Sequence, residues 1–157
     1  MKIEKKGNKL VFNDFTSTKE VKIKIADILA FIPTEKAIMV LTKDASKVKL
    51  KTDDSVMDTL KINNVLNPVT STFGEGEYAF LILSNHSLIN IDELKGVTIY
   101  KKDGTERLRV NFGEHTVSLR FDDASKMGKQ LKDEAAFNCK VLKRGVTERQ
   151  QKLQELQ

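Results

Sequence analysis

The sequence predicts an α+β protein made of two pseudo-symmetric repeats, each an antiparallel β-sheet followed by a helix. Three observations lead there. Apolar and charged residues alternate over short stretches, the period of a half-buried strand rather than of a helix. A strand running into paired aspartates occurs twice, as Val48-Lys-Leu-Lys-Thr-Asp-Asp-Ser and as Val117-Ser-Leu-Arg-Phe-Asp-Asp-Ala, each followed by a helical pattern. The approach to each is also alike, since Ile25 precedes Asp53 by 28 residues and Ile91 precedes Asp122 by 31, a difference one loop absorbs.

The expected organisation is a first sheet-plus-helix unit over 1–68, a linker over 69–76, a second unit over 77–142 and a polar tail, helical or disordered, over 143–157. A chain of 157 residues suffices for one domain, or for two small units sharing a core. Its 39% hydrophobic content supports a packed interior, and its 31% charged content keeps the surface wet.

Two strands are expected first, Lys9–Phe15 and Lys19–Ile25, because Val21, Ile23 and Ile25 alternate with Glu20, Lys22 and Lys24. A short segment, Ala26–Ile32, stops at Pro33. Strands at Ala37–Thr42 and Lys47–Thr52 follow, joined by a Lys-Asp-Ala-Ser turn. Asp53-Asp54-Ser55 supplies the oxygen acceptors that begin a helix reaching about Leu66, and Pro68 opposes its continuation.

In the second half, Tyr78–Leu83 turns through Ser84-Asn-His-Ser87 into Leu88–Ile91. Val97–Lys101 and Glu106–Phe112 form a hairpin about Asp103-Gly104, a dipeptide suited to a tight turn with positive φ. Thr116–Phe121 leads to Asp122-Asp123 and a second helix whose apolar side is Ala124, Met127, Leu131, Ala135 and Phe137. In the tail, Val146, Leu153 and Leu156 form a narrow stripe.

Several function classes lack their chemistry. The chain has no Gly-rich phosphate loop, and His86 and His115 sit in turns without metal-ligand spacing. Its single cysteine, Cys139, rules out an internal disulfide framework, has no nearby His to activate it and suits a reducing compartment. The paired aspartates are explained by helix capping. No catalytic residue, metal or cofactor is expected, and the chain is read as a non-enzyme. The longest apolar run, Tyr78–Leu83, is too short for a membrane span, and no apolar run follows the charged N-terminus as a secretory signal would require. A cytoplasmic location is expected, the host cytoplasm or virion if viral. Lysines outnumber arginines 22 to 5, a bias seen in AT-rich genomes, those of phages included.

What remains is charge. The formal net charge is +5, and the surplus lies toward the two ends of the chain. Alternation places Lys22, Lys24, Lys47, Lys49, Lys51, Arg107, Arg109 and Arg120 on the strand sides opposite the apolar residues. If each unit forms a single sheet, these cations share its open face. Such a face attracts phosphates, with affinity that falls steeply as salt rises. Tyr100, and also Tyr78, could add a stacking platform worth roughly 1–3 kcal/mol per base. Lysines on an open sheet face also serve solubility alone.

The stretches Lys47-Val-Lys-Leu-Lys-Thr-Asp-Asp-Ser-Val-Met and His115-Thr-Val-Ser-Leu-Arg-Phe-Asp-Asp-Ala-Ser, each a last strand entering a helix, resemble the Whirly fold of single-stranded-nucleic-acid-binding proteins. The resemblance is one of topology over residues 9–137, and it transfers no residue by motif. It implies binding of single-stranded DNA or RNA through basic sheet faces. The alternative expectation is a protein-interaction or assembly module, such as a phage structural or host-targeting protein, that engages its partner through a sheet edge or the C-terminal tail. A homo-oligomer fits either reading, and a membrane partner fits neither.

Overall fold

The computed structural model describes residues 1–13, 20–44, 46–67, 78–119 and 128–155. The fold is mixed α+β, with three antiparallel sheets and two α-helices among these residues. The chain divides into two compact units, Met1–Asn90 and Ile91–Gln157. The linker expected at 69–76 lies outside the described residues.

In the first unit, β1 (Lys2–Lys6), β2 (Lys9–Asn13) and β3 (Glu20–Lys24) pair in that order. Strand β1 is an addition to the sequence reading. Lys-Ile-Glu-Lys-Lys offers one apolar residue to an alternation test, so the strand is set by its turn instead. Gly7 takes φ 62°, a conformation favouring glycine, and places Lys6 opposite Lys9. A short 3-10 turn, Ile25–Asp27, then carries the chain into a second sheet.

That sheet contains β4 (Ile28–Pro33), β5 (Ala37–Thr42), β6 (Lys47–Lys51), β7 (Phe80–Ile82) and β8 (Leu88–Asn90), in the order β6-β5-β4-β8-β7. Between β6 and β7 runs α1 (Ser55–Leu66). Its start is the one the sequence implies: Asp54 is the N-cap, and its Oδ1 accepts the Met57 N–H at 3.1 Å.

One core joins these parts. Leu10, Phe12 and Ile23 from the first sheet meet Phe31, Ile38, Val40, Leu50, Phe80 and Leu88 from the second, with Ile62 and Leu66 from α1. The Phe31 ring lies 6.2 Å from Phe12 and 5.9 Å from Phe80, both tilted, so one aromatic chain crosses the interior.

Strand pairing corrects the expected partition. The sequence reading opens the second unit at Tyr78, yet β8 pairs with β4 through Ala30–Ile89 and Phe31–Leu88. Two buried amides tie these strands in: Asn90 donates to the Ile28 carbonyl at 2.9 Å, and Asn67 to the Phe80 carbonyl at 2.6 Å. The first unit therefore holds two facing sheets, where one was expected. An exact alternation test cannot choose a partner, because Leu88 and Phe80 would satisfy any apolar sheet face.

The second unit begins with a 3-10 turn, Ile91–Glu93, followed by β9 (Gly96–Lys102), β10 (Thr105–Asn111) and β11 (Thr116–Leu119), then α2 (Gly128–Glu155). The sheet order is β11-β10-β9. The Asp103-Gly104 turn is as expected, with φ of 54° and 76° closing the Lys102–Thr105 pair. Helix α2 packs on β9 and β10, the apolar side that carries Val97, Leu108, Val110 and Leu119.

Two expectations for α2 change. The tail is part of it, as the helix runs on to Glu155. The buried stripe is Ala135, Asn138, Cys139 and Leu142, whereas Phe137, expected on the apolar side, is 59% exposed. Positions 135, 138, 139 and 142 follow helical spacing, and 137 falls nearly opposite them. Ala124 and Met127 lie outside the described residues.

Candidate nucleic-acid interface

The described cations among those expected keep their outward orientation, but within the first unit they do not converge on one surface. On β3, Lys22 and Lys24 are exposed while Ile23 is buried, and on β6 Lys47, Lys49 and Lys51 are exposed while Leu50 is buried. Ile23 and Leu50 belong to the same core. Because their two sheets face each other across it, the two lysine rows point away from each other. The single basic face expected for this half of the chain is therefore split in two.

Each row is also diluted. Beside Lys22 the Glu20 carboxylate lies 4.0 Å away, and on the same sheet Glu4 is 3.1 Å from Lys2 and 3.7 Å from Lys6. On the β6 side, an open cleft of about 580 Å³ is lined by Lys36, Lys49 and Lys51, but also by Glu35 and Asp53. The second tyrosine, Tyr78, receives Lys5 Nζ 5.1 Å from its ring centroid in this unit.

The second unit gathers what the first separates. In β10, Leu108 and Val110 are buried, which turns Arg107 and Arg109 to the other side. Cross-strand register extends that side in both directions. Tyr100 lies opposite Arg107, Thr98 opposite Arg109 and Lys102 opposite Thr105, while Ser118 and Thr116 face Arg109 and Asn111 from β11. The face thus carries Arg107, Arg109, Lys102 and Tyr100 among threonine, serine, asparagine and glycine. No carboxylate lies on it among the described residues. Glu106 pairs with Lys101 on the opposite, helix-facing side. Arg120 lies outside the described residues.

Tyr100 is the centre of this arrangement. The Arg109 guanidinium lies 4.3 Å from its ring centroid. A hydrogen bond with the Ser118 hydroxyl, supported by the charges of Arg107 and Arg109, holds its phenol below the usual tyrosine value of 10.0, against a smaller opposing effect of burial. Strand alternation singled out Tyr100, Arg107 and Arg109. Alternation alone did not single out Lys102, Thr98 or Ser118; the two-residue turn and register place them there.

Among the described residues no three His, Cys, Asp or Glu side chains gather as a metal site would need, and no helix is long and apolar enough to cross a membrane.

No family model matches the chain, and no curated protein matches it. Among solved structures, it is similar to the LytTr DNA-binding domain of a methyl-accepting/DNA response regulator from Bacillus cereus. That likeness spans 84% of this chain and 95% of that one, at 13% identity and a TM-score of 0.43. At such distance it carries no functional argument. The matched units implied by the Whirly resemblance are not supported by the strand pairing, since β7 and β8 belong with β4.

Proposed function

We propose that the protein binds single-stranded nucleic acid, without catalysis, on the open face of β9–β11. The observation that carries this reading is the one-signed character of that face: two arginines, a lysine and a tyrosine without an opposing carboxylate among the described residues. Arginines and Lys102 would neutralise phosphates and release their counterions. The Tyr100–Arg109 pair offers a preformed flat surface on which a base can stack. Hydroxyls of Thr98 and Thr116 add neutral hydrogen bonds. An open three-stranded face suits splayed, single-stranded bases better than duplex grooves, whose base edges are reached by inserted helices or ribbons.

Fluorescence anisotropy with labelled single-stranded and duplex oligonucleotides at low and moderate salt tests this reading. Tight, salt-sensitive binding of the single strand is expected. The double change Arg107→Glu and Arg109→Glu should abolish it, while Lys47→Glu, Lys49→Glu and Lys51→Glu together should leave most of it. Loss only in the lysine variant would move the site to β6. Silence of the wild type with both oligonucleotides would refute nucleic-acid binding.

A second reading, a protein-interaction module, draws on α2. Its 28 residues span about 42 Å, while the seven-residue strands beneath it span about 24 Å, so the helix outruns its sheet. Leu153 continues the stripe of Ala135, Cys139, Leu142 and Val146 past that limit and is 43% exposed. A protein partner would then extend the support for these last turns. Silent oligonucleotide titrations, with association lost on Leu153→Asp, would favour it.

A further inference from the structure

Strand β9 is an edge strand, and its outer side is poorly defended. It is seven residues long, pairs with β10 without a register shift, and contains no proline. The other long edges carry cations at alternate positions, as Lys47, Lys49 and Lys51 do on β6. On β9 the lysines are confined to the hairpin end, at Lys101 and Lys102. Midway along lies Ile99, 39% exposed, the exposed large apolar residue that lies on a strand among the described residues.

Backbone geometry says which groups face outward. A two-residue turn makes Lys102 and Thr105 a hydrogen-bonded pair, so Lys102, Tyr100 and Thr98 spend their N–H and C=O groups on β10. Those of Val97, Ile99 and Lys101 point away from the sheet. An antiparallel partner strand centred on Ile99 would meet all three.

We infer that this edge pairs with β9 of a second copy of the chain, about a two-fold axis at Ile99. That register is self-complementary. Ile99 falls opposite its own counterpart, Val97 opposite Lys101, Tyr100 opposite Thr98 and Gly96 opposite Lys102, so no lysine faces a lysine. The cations on the open face do not oppose it either. Arg107 and Arg109 lie on β10, and the two β10 strands would be three strand spacings apart, about 14 Å, beyond the Debye length at physiological salt. The product doubles the three-stranded sheet into a continuous one, with both copies of the Tyr100 face on the same side. This inference does not require nucleic-acid binding.

Sedimentation of the full chain over a wide concentration range tests it. A concentration-dependent dimer is expected. Ile99→Lys, which sets like charges opposite one another, should raise the dimer dissociation constant about tenfold or more. Ile99→Thr, which retains strand preference, should act in the same direction if the lysine variant fails to fold. Met57→Lys, a control at an exposed apolar residue on α1, should leave the dimer unchanged. A wild type that stays monomeric throughout overturns the inference, as does a dimer indifferent to both Ile99 changes.

Discussion

The Arg109 guanidinium lies 4.3 Å from the Tyr100 ring centroid, reaching diagonally from β10 to β9 across the open face of the second unit. The contact joins the only described tyrosine of that face to one of its two described arginines, and the arginine's charge adds a small part to the lowering of the phenol's pKa that the Ser118 hydrogen bond dominates. Arg109→Ala should cost about 0.5–1 kcal/mol of stability, the range for an exposed cation–π pair.

The Tyr100 phenol should titrate below 10.0, with Ser118 as the largest cause and the arginines behind it. In a Tyr78→Phe background, ultraviolet titration should show the Tyr100 midpoint rising on Ser118→Ala and rising less on Arg109→Ala. A midpoint unmoved by Ser118→Ala would break this account of the face.

Side-chain direction on β6 can be tested within adjacent residues. Leu50 is 1% exposed and lies in the core, whereas Lys49 faces out. Leu50→Asp would bury an unpaired carboxylate and should unfold the unit, because the lost apolar burial alone is about 1.5–3 kcal/mol. Lys49→Asp should leave the thermal midpoint nearly unchanged. Equal damage from both would contradict the register.

The cap of α1 discriminates between neighbouring aspartates. Asp54→Ala removes the acceptor for the Met57 N–H and should cost about 1 kcal/mol, read from denaturant unfolding. Asp53→Ala, which removes no cap hydrogen bond, should cost much less. The reverse order would place the cap one residue earlier.

Acid sensitivity should appear at the β5–β6 turn. The Ser46 hydroxyl, then the Thr42 hydroxyl and the Ser46 N–H, hold the Asp44 carboxyl at about 2, below its ordinary 3.8. A folded-state value below the unfolded one adds stability above pH 3.8, and that contribution is lost as pH falls through about 2. The stability difference between wild type and Asp44→Asn should therefore shrink over that interval. A difference independent of pH would count against it.

Local elements were legible because each has a local cause. Lys47–Lys51 alternates, Asp103-Gly104 favours positive φ at both positions, and Asp54 offers an oxygen to a helix start. Strand β1 was not legible, since Ile3 among lysines and a glutamate gives alternation nothing to count. The candidate site was half legible: alternation turned Arg107, Arg109 and Tyr100 outward, but could not say that they share a surface while Lys22 and Lys49 do not.

The sequence by itself determined which side of each alternating strand is apolar, where the tight turns fall and where α1 begins, because these depend on residues a few positions apart. Only the tertiary structure decided that β7 and β8 join β4, that two lysine rows face away from a common core, and that Tyr100 meets Arg109 and Ser118. The reason is physical: a strand's apolar face accepts many partners, and the choice among them depends on competition between whole sheets for one core, a comparison no short stretch of sequence contains.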